Sequence, residues 1–154
     1  LDAGILEFLM NKYSMDIKEM VSILNKKSGV QGVSGVSSDF RDLENAFKDG
    51  NERAGLAVDM FNYGVKKLIG SYAAAMGGVD AIVFGGGIGR NSDSVRAMAL
   101  EGLEFLGVTL DESKNRKPYG GQDISADDSR VRIYVVDTNE EIIVARKAKS
   151  LLEK

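Results

Sequence analysis

A glycine-rich segment near the middle of the chain has the residue types of a phosphate-binding turn. The apolar stretch Asp80–Phe84 runs into Gly85–Asn91, which holds four glycines. Glycine lets backbone N–H groups approach an anion, and a helix that starts near Asn91 or Ser92 would add unpaired N–H groups and the positive end of its dipole. The segment therefore indicates a nucleotide ligand, although a glycine turn between a buried strand and a helix is also ordinary in α/β proteins.

Two better-known glycine motifs do not fit this segment. A P-loop is excluded because no Gly-Lys-Ser/Thr follows the glycines. In a dinucleotide fingerprint, Gly85 and Gly87 match the first two glycines, but Arg90 takes the third position, where close helix packing leaves no room for a side chain. The segment alone does not decide between a ligand site and an ordinary turn.

Composition limits the chemistry that the chain can carry. Its 154 residues are 44% hydrophobic, with a formal charge of −3, no cysteine and no histidine. The acidic balance argues against a nucleic-acid surface, and the usual general base, zinc ligand and thiolate are all lacking. The sequence shows no signal peptide or membrane-length apolar run, so we expect a cytoplasmic protein. Because it starts at Leu1 without a methionine, we also expect a piece of something longer.

The elements that would position the glycine turn follow from hydrophobic periodicity and breaker residues. In chain order, the sequence predicts helices around 5–9 and 17–24, a loop over 29–38, helices over 39–47 and 51–76, a strand over 81–84, a helix over 92–106, an irregular connection over 111–130, a strand over 130–136 and a helix from 140. Asp16 and Glu19 have the spacing of a capping box. Ser38 or Asp39 is the predicted cap of the helix over 39–47.

The order strand, helix, strand, helix predicts a parallel pair of strands with a ligand site at their carboxyl ends. Two turns follow those ends, the glycine segment and residues 137–141, so we expect them to converge on one crevice. Two strands are few for a sheet, which usually has about five, so we expect further strands outside this chain.

Three motifs in register resemble the acetate kinase family. The matching segments are Val33–Asp42, Val83–Asn91 and Thr138–Glu141, with further similarity at Lys26–Gly29 and Leu103–Gly107. The resemblance covers the whole chain but only the C-terminal part of such an enzyme. It implies an α/β fold of the sugar kinase/hsc70/actin (RNase H-like) superfamily, helix-rich with a partial parallel sheet. Residues 1–154 would form a single nucleotide-binding domain, with the N-terminal catalytic domain absent.

The resemblance also implies site residues. The adenosine side would be lined by Asp39, Phe40 and Arg41, the second nucleotide-binding segment would be Gly87, Ile88, Gly89, Arg90 and Asn91, and the magnesium-site glutamate would be Glu140. It implies ATP/ADP and Mg²⁺ as ligands, acetate as a second substrate, and a homodimer through this domain, without nucleic-acid or membrane partners. The family's catalytic histidine, arginines and aspartate would lie upstream of Leu1.

Residue chemistry also allows structural roles at these positions. Asp39 has the type and place of a helix N-cap, and an arginine in a first helical turn is most often a solvated residue. A capping box of Thr138 and Glu141 would occupy Glu141 and leave Glu140 free for Mg²⁺, which prefers oxygen ligands. A glutamate in a first turn otherwise complements the helix dipole.

Two positions depart from the family pattern. Arg90 stands where the family usually has glutamate, and Asp137 where it usually has proline. The Arg90 side chain would either contact phosphate or point into solvent, whereas the backbone at Gly87 and Gly89 does not depend on it. The implied activity is phosphoryl transfer from ATP to acetate, giving acetyl phosphate and ADP. The alternatives are a propionate kinase of the same family and a non-catalytic nucleotide-binding or dimerisation module.

Overall fold

The computed structural model of the chain describes residues 2–116, 118, 121–139 and 141–153. The helices are α1 (Gly4–Tyr13), α2 (Ile17–Lys26), α3 (Gly29–Ser34), α4 (Phe40–Lys48), α5 (Glu52–Met76), α6 (Gly86–Asn91), α7 (Asp93–Leu100), α8 (Glu112–Asn115) and α9 (Glu141–Leu152). The strands are β1 (Ala81–Phe84), β2 (Gln122–Asp123) and β3 (Arg132–Val135). The chain divides into two compact units, Leu1–Gly64 and Val65–Lys154. No helix in the described ranges combines the length and apolar character needed to cross a membrane.

The first unit is helical, and two of its helices, α2 and α4, start at predicted caps. The Asp16 carboxylate accepts from Glu19 N at 2.8 Å, and the Glu19 carboxylate accepts from Asp16 N at 3.0 Å, which is the predicted capping box of α2. Asp39 caps α4 by accepting from Arg41 N at 2.9 Å. These contacts satisfy backbone donors that a helix cannot pair by itself.

One prediction for this unit was wrong. Residues 29–38 were expected to form a loop, yet Gly29–Ser34 is the helix α3. A Cβ built on Gly32 would lie 2.9 Å from Lys27 O, so glycine is needed here to let the chain pass close to its own backbone. Gly35 ends the helix in the left-handed conformation, with φ of 70°.

The second unit is built on a three-stranded sheet of order β1-β3-β2. β1 and β3 pair in parallel from Ala81 with Arg132 to Phe84 with Val135, as the sequence predicted. β2 pairs antiparallel to β3, within a stretch that was expected to be irregular, so the sheet is mixed. In the part of the chain that the structure describes, β1 has a neighbouring strand on one side only, as a partial sheet should.

Alternation along β1 and β3 builds the core of this unit. The buried residues are Ile82, Phe84, Ala99, Leu100, Leu103, Val108, Ile124, Val131, Ile133 and Val135. The helix predicted over 92–106 is shorter: α7 ends at Leu100 and a 3₁₀ turn covers Glu104–Leu106. Gly102, with φ of 76°, lies between the two and requires a conformation that most residues avoid. The carboxyl ends of β1 and β3 therefore lie side by side above one core.

Candidate functional site

The two turns at the carboxyl ends of β1 and β3 touch each other, as predicted. A Cβ built on Gly85 would lie 3.2 Å from Thr138 Cγ2 and 3.4 Å from Val136 Cγ2. The Val136 N–H donates to Phe84 O at 2.9 Å and extends the pairing of the two strands. Gly85 itself is in an extended conformation, so the close approach of the second turn, and not its φ, favours glycine there.

The glycine run is itself helical. α6 begins at Gly86, whose φ of 69° is in the left-handed region, and ends at Asn91. The sequence had instead predicted a turn followed by a helix from Asn91 or Ser92. That second helix is α7, which Ser92 caps by accepting from Val95 N at 3.2 Å. Gly86 is therefore the residue in this run whose backbone conformation favours glycine.

Gly87 faces open space. Among the described residues, no heavy atom other than its chain neighbours and its own helix backbone lies within 4 Å of a Cβ built on Gly87. Gly89 differs, since its Cβ would lie 3.4 Å from Phe84 Cβ. Neither packing nor a positive φ explains a glycine at position 87. A ligand that approaches the backbone closely would explain it.

A buried arginine lies at the carboxyl end of α6. Arg96, in α7, is fully buried, and its guanidinium donates to the carbonyls of Gly89 and Arg90 and to Asn115. Burial lowers the pKa of Arg96 from its ordinary value. Sequence reasoning gave this residue no role, because an arginine in a helix is ordinarily assigned to the solvent face.

The two residues that depart from the family pattern are paired with each other. Arg90 Nε forms a hydrogen bond and an ion pair with the Asp137 carboxylate, across 47 positions of sequence. Both side chains are partly exposed, at 36% and 60%, so we expect the pair to contribute little to stability. Its consequence is geometric, because it joins the glycine helix to the turn that follows β3.

The turn after β3 corrects one predicted cap. Asn139 Oδ1 accepts from Ile142 N at 3.0 Å, so the side chain that caps α9 is Asn139 and not Thr138. In this register Glu141 is not the third helical residue, so it does not form the predicted capping box with Thr138. The argument that a capping box occupies Glu141 and leaves Glu140 free for Mg²⁺ therefore no longer distinguishes the two glutamates. Glu140 lies outside the described residues. Within the described residues, no three acidic, histidine or cysteine side chains group closely enough to hold a metal ion.

The adenosine-side segment predicted from the resemblance belongs to the first unit. Arg41 donates to both oxygens of Asp39, with Nε at 3.1 Å and Nη2 at 2.6 Å, and its side chain is 85% exposed. These bonds and the charge of Arg41 hold the pKa of Asp39 at about 2. The Phe40 side chain is buried and packs against Phe61, with ring centroids 4.8 Å apart, so any ligand contact of Phe40 falls to its backbone.

The Asp39 pKa provides a direct test of this pairing. Arg41→Gln removes the cation and should raise the pKa of Asp39 from about 2 toward its ordinary value of 3.8. The ¹³C shift of the Asp39 carboxyl against pH measures it. The control is Asp111, whose pKa is held at about 2 by Ser113 and Lys114 and should not change. An Asp39 that titrates at its ordinary value in the unmodified protein would contradict the pairing.

Comparison with known proteins places the chain in a family. The Acetokinase family model matches residues 1–146. The acetate kinase of Caldicellulosiruptor saccharolyticus is 53% identical over an alignment of 156 positions, which covers 100% of this chain and 39% of that protein. The crystal structure of Porphyromonas gingivalis acetate kinase aligns with a TM-score of 0.88 at 44% identity, over 99% of this chain and 38% of that one. A propionate kinase structure from Francisella tularensis aligns at 0.84 and 31%, over 96% and 37%.

Proposed function

Since the chain belongs to the acetokinase family, we propose that it forms the nucleotide-binding part of an acetate kinase, which transfers the γ-phosphoryl group of ATP to acetate. The chain spans about two-fifths of the length of the relatives it matches, so it supplies part of that enzyme. The observation that carries the proposal is the meeting of two turns at the carboxyl ends of parallel strands, with open space at Gly87 beside them. This is where open α/β sheets bind their ligands.

The residues of this chain would bind and orient the nucleotide. The backbone from Gly87 to Asn91 would approach the phosphates, which the absence of a side chain at Gly87 permits. Asp39 and Arg41 would line the adenosine side, where the exposed guanidinium has a planar face for stacking on a base. Phe40 would fix this segment from the core side, since its ring is buried.

The turn after β3 has the donor set for a magnesium ion. Carboxylate and amide oxygens, which Mg²⁺ prefers, are concentrated at Asp137, Asn139 and Glu140. Two of these groups are engaged, because Asp137 pairs with Arg90 and Asn139 caps α9. The resemblance to acetate kinases assigns the magnesium-site glutamate to Glu140, and we propose this residue as the magnesium ligand. When bound, Mg²⁺ would neutralise charge on the transferring phosphates.

The chain does not supply the groups that stabilise transfer itself. In-line phosphoryl transfer depends on cationic groups placed around the γ-phosphate and on a positioned acceptor. The sequence has no histidine, and the resemblance assigns the catalytic histidine, arginines and aspartate to the region upstream of Leu1. The enzyme would work in the cytoplasm, where ATP is supplied.

Exposed apolar side chains on α5 support the proposed homodimer. Met60, Leu68, Tyr72 and Met76 are each more than half exposed on this helix. A twofold interface needs apolar side chains that remain exposed on each subunit. Dimerisation, which was part of the non-catalytic alternative, is therefore also part of the enzyme that we propose.

A propionate kinase is the second candidate, because a structure of that name aligns with almost the whole chain. The two differ in the acyl acceptor, and one additional methylene changes transition-state binding by about 1–3 kcal/mol. Comparing kcat/KM for acetate and propionate in the full-length enzyme decides between them. A higher value for propionate would replace the acetate assignment.

Gly87→Ala tests the nucleotide site without disturbing the fold. The new methyl group meets no described neighbour, so stability should be unchanged or slightly raised, as for alanine in a helix. Nucleotide affinity should fall by roughly tenfold or more, since loss of a charge-assisted backbone contact amounts to about 1.5–3 kcal/mol. Titration calorimetry with ADP measures the affinity, and thermal denaturation measures the stability.

Gly70→Ala is the matched control, because Gly70 also lies in a helix with open space around its Cβ position. It should show the same small gain in stability and no change in ADP affinity. Equal affinity in both variants would contradict the placement of the nucleotide at Gly87.

A further inference from the structure

The glycine helix α6 ends on a buried cation. Arg96 is 1% exposed, and its Nη1 donates to Gly89 O at 2.8 Å and to Arg90 O at 3.0 Å. The last carbonyls of a helix have no partner within it. Arg96 supplies the bonds that this six-residue helix cannot make for itself, and its charge complements the negative end of the helix dipole.

The other side of the guanidinium is fixed to α8. Nε donates to Asn115 Oδ1 at 2.7 Å and Nη2 donates to Asn115 O at 2.6 Å. Asn115 is itself 2% exposed, and its Nδ2 donates to Asp93 O at 2.9 Å. The guanidinium, carried by α7, therefore bonds to both α6 and α8.

The Arg96 cation is held by hydrogen bonds and not by an ion pair. Every acceptor of Arg96 in the described part of the chain is a neutral oxygen, and none of the ion pairs there includes it. An apolar residue would avoid the desolvation of a charge but would leave these oxygens without their donor, so what Arg96 contributes is the set of hydrogen bonds to α6 and Asn115. α6 needs stabilising contacts from outside the helix, because three of its six residues are glycines, which disfavour a helix.

We propose that Arg96 is a positioning residue for the nucleotide, which keeps α6 in the form that presents Gly87 to the phosphates. Gly89 O shares a peptide plane with the Arg90 N–H, and Arg90 O shares one with the Asn91 N–H. By binding both carbonyls, the guanidinium fixes the second half of the segment assigned to the nucleotide. The inference rests on the proposed function, and Arg96 acts through the helix because it is buried.

The test is Arg96→Lys in the full-length enzyme. Lysine keeps the charge, but its single ammonium group cannot bind both Asn115 and the α6 carbonyls as the planar fork does. A looser α6 must be ordered when the nucleotide binds, so the Kd for ADP and the KM for ATP should rise by roughly tenfold or more. The KM for acetate should stay unchanged, and this split is one that a general loss of stability would not produce.

Leu100→Ala is the control for a purely structural effect. Leu100 lies in the same helix, is 3% exposed and packs in the core without a described bond to α6. This variant should melt at a lower temperature with unchanged ADP affinity. If Arg96→Lys behaves in the same way, the positioning role is wrong.

The remaining outcomes separate this inference from the proposed function. An unmodified enzyme that does not bind ADP contradicts the nucleotide site itself. If Arg96→Lys does not fold, Asn115→Ala decides, because it leaves the guanidinium on the α6 carbonyls and removes its side-chain anchor at Asn115. A weaker ADP affinity in that variant supports the inference, and an unchanged affinity overturns it.

Discussion

These 154 residues on their own should show no measurable transfer of phosphoryl groups from ATP to acetate. Cationic groups that stabilise the transferring phosphoryl contribute factors of roughly 10³ to 10⁵ to turnover. The chain has no histidine, and the arginines that we assign to the nucleotide side are engaged: Arg41 with Asp39 and Arg90 with Asp137. A coupled assay of ADP formation in the presence of acetate measures this activity.

The full-length enzyme under the same conditions is the positive control for this assay. Circular dichroism and thermal denaturation of the isolated chain show whether it is folded when it is assayed. Turnover near that of the full-length enzyme would contradict the proposal that this chain binds the nucleotide and the rest of the enzyme supplies the catalytic cations.

Elements set by local signals were predictable. Local signals predicted the capping box at Asp16 and Glu19, a cap of α4 at Ser38 or Asp39, and the bounds of α5 to within one residue. The parallel pairing of β1 and β3 also followed, because a helix between two short apolar strands leaves few alternatives.

Contacts between distant residues were not predictable. The glycine run forms the helix α6 with its terminal carbonyls bound by Arg96, and nothing in Gly85–Asn91 itself indicates that partner. For Arg90, the sequence offered phosphate or solvent as partners. The observed partner, Asp137, is 47 residues away. The sequence suggests a pairing of Arg90 with Asp137 only when it is already known that their two turns touch.

The cap of α9 shows how a local prediction can miss by one residue. Thr138 and Asn139 are both good N-caps, and Glu141 favoured Thr138 by completing a capping box. The structure uses Asn139, which accepts from Ile142 N. Neighbouring residues with equal capping ability cannot be ranked by type alone, and here the Thr138 side chain also passes close to Gly85, where it leaves little room for a Cβ.

This cap changes what we expect from the two glutamates. In the full-length enzyme, Glu140→Gln should raise the magnesium concentration needed for half-maximal rate by roughly 10- to 100-fold, because the charge of a proposed ligand is lost. Its folding stability should be nearly unchanged, since glutamine has almost the same size and shape as glutamate. Glu141→Gln is the matched control and should leave both quantities near those of the unmodified enzyme.

Asn139→Ala supplies the opposite pattern and tests the register of α9. Loss of the bond to Ile142 N should lower the free energy of unfolding by about 1 kcal/mol, as measured for other N-caps. Denaturation midpoints and magnesium-dependent rates for the three variants give a set of paired results. If Glu141→Gln is the metal-defective variant, then the carboxylate that faces the phosphates is Glu141, and the assignment of Glu140 is wrong. If Thr138→Ala destabilises the fold and Asn139→Ala does not, then the cap lies at Thr138, and the argument that separates the two glutamates by a capping box is restored.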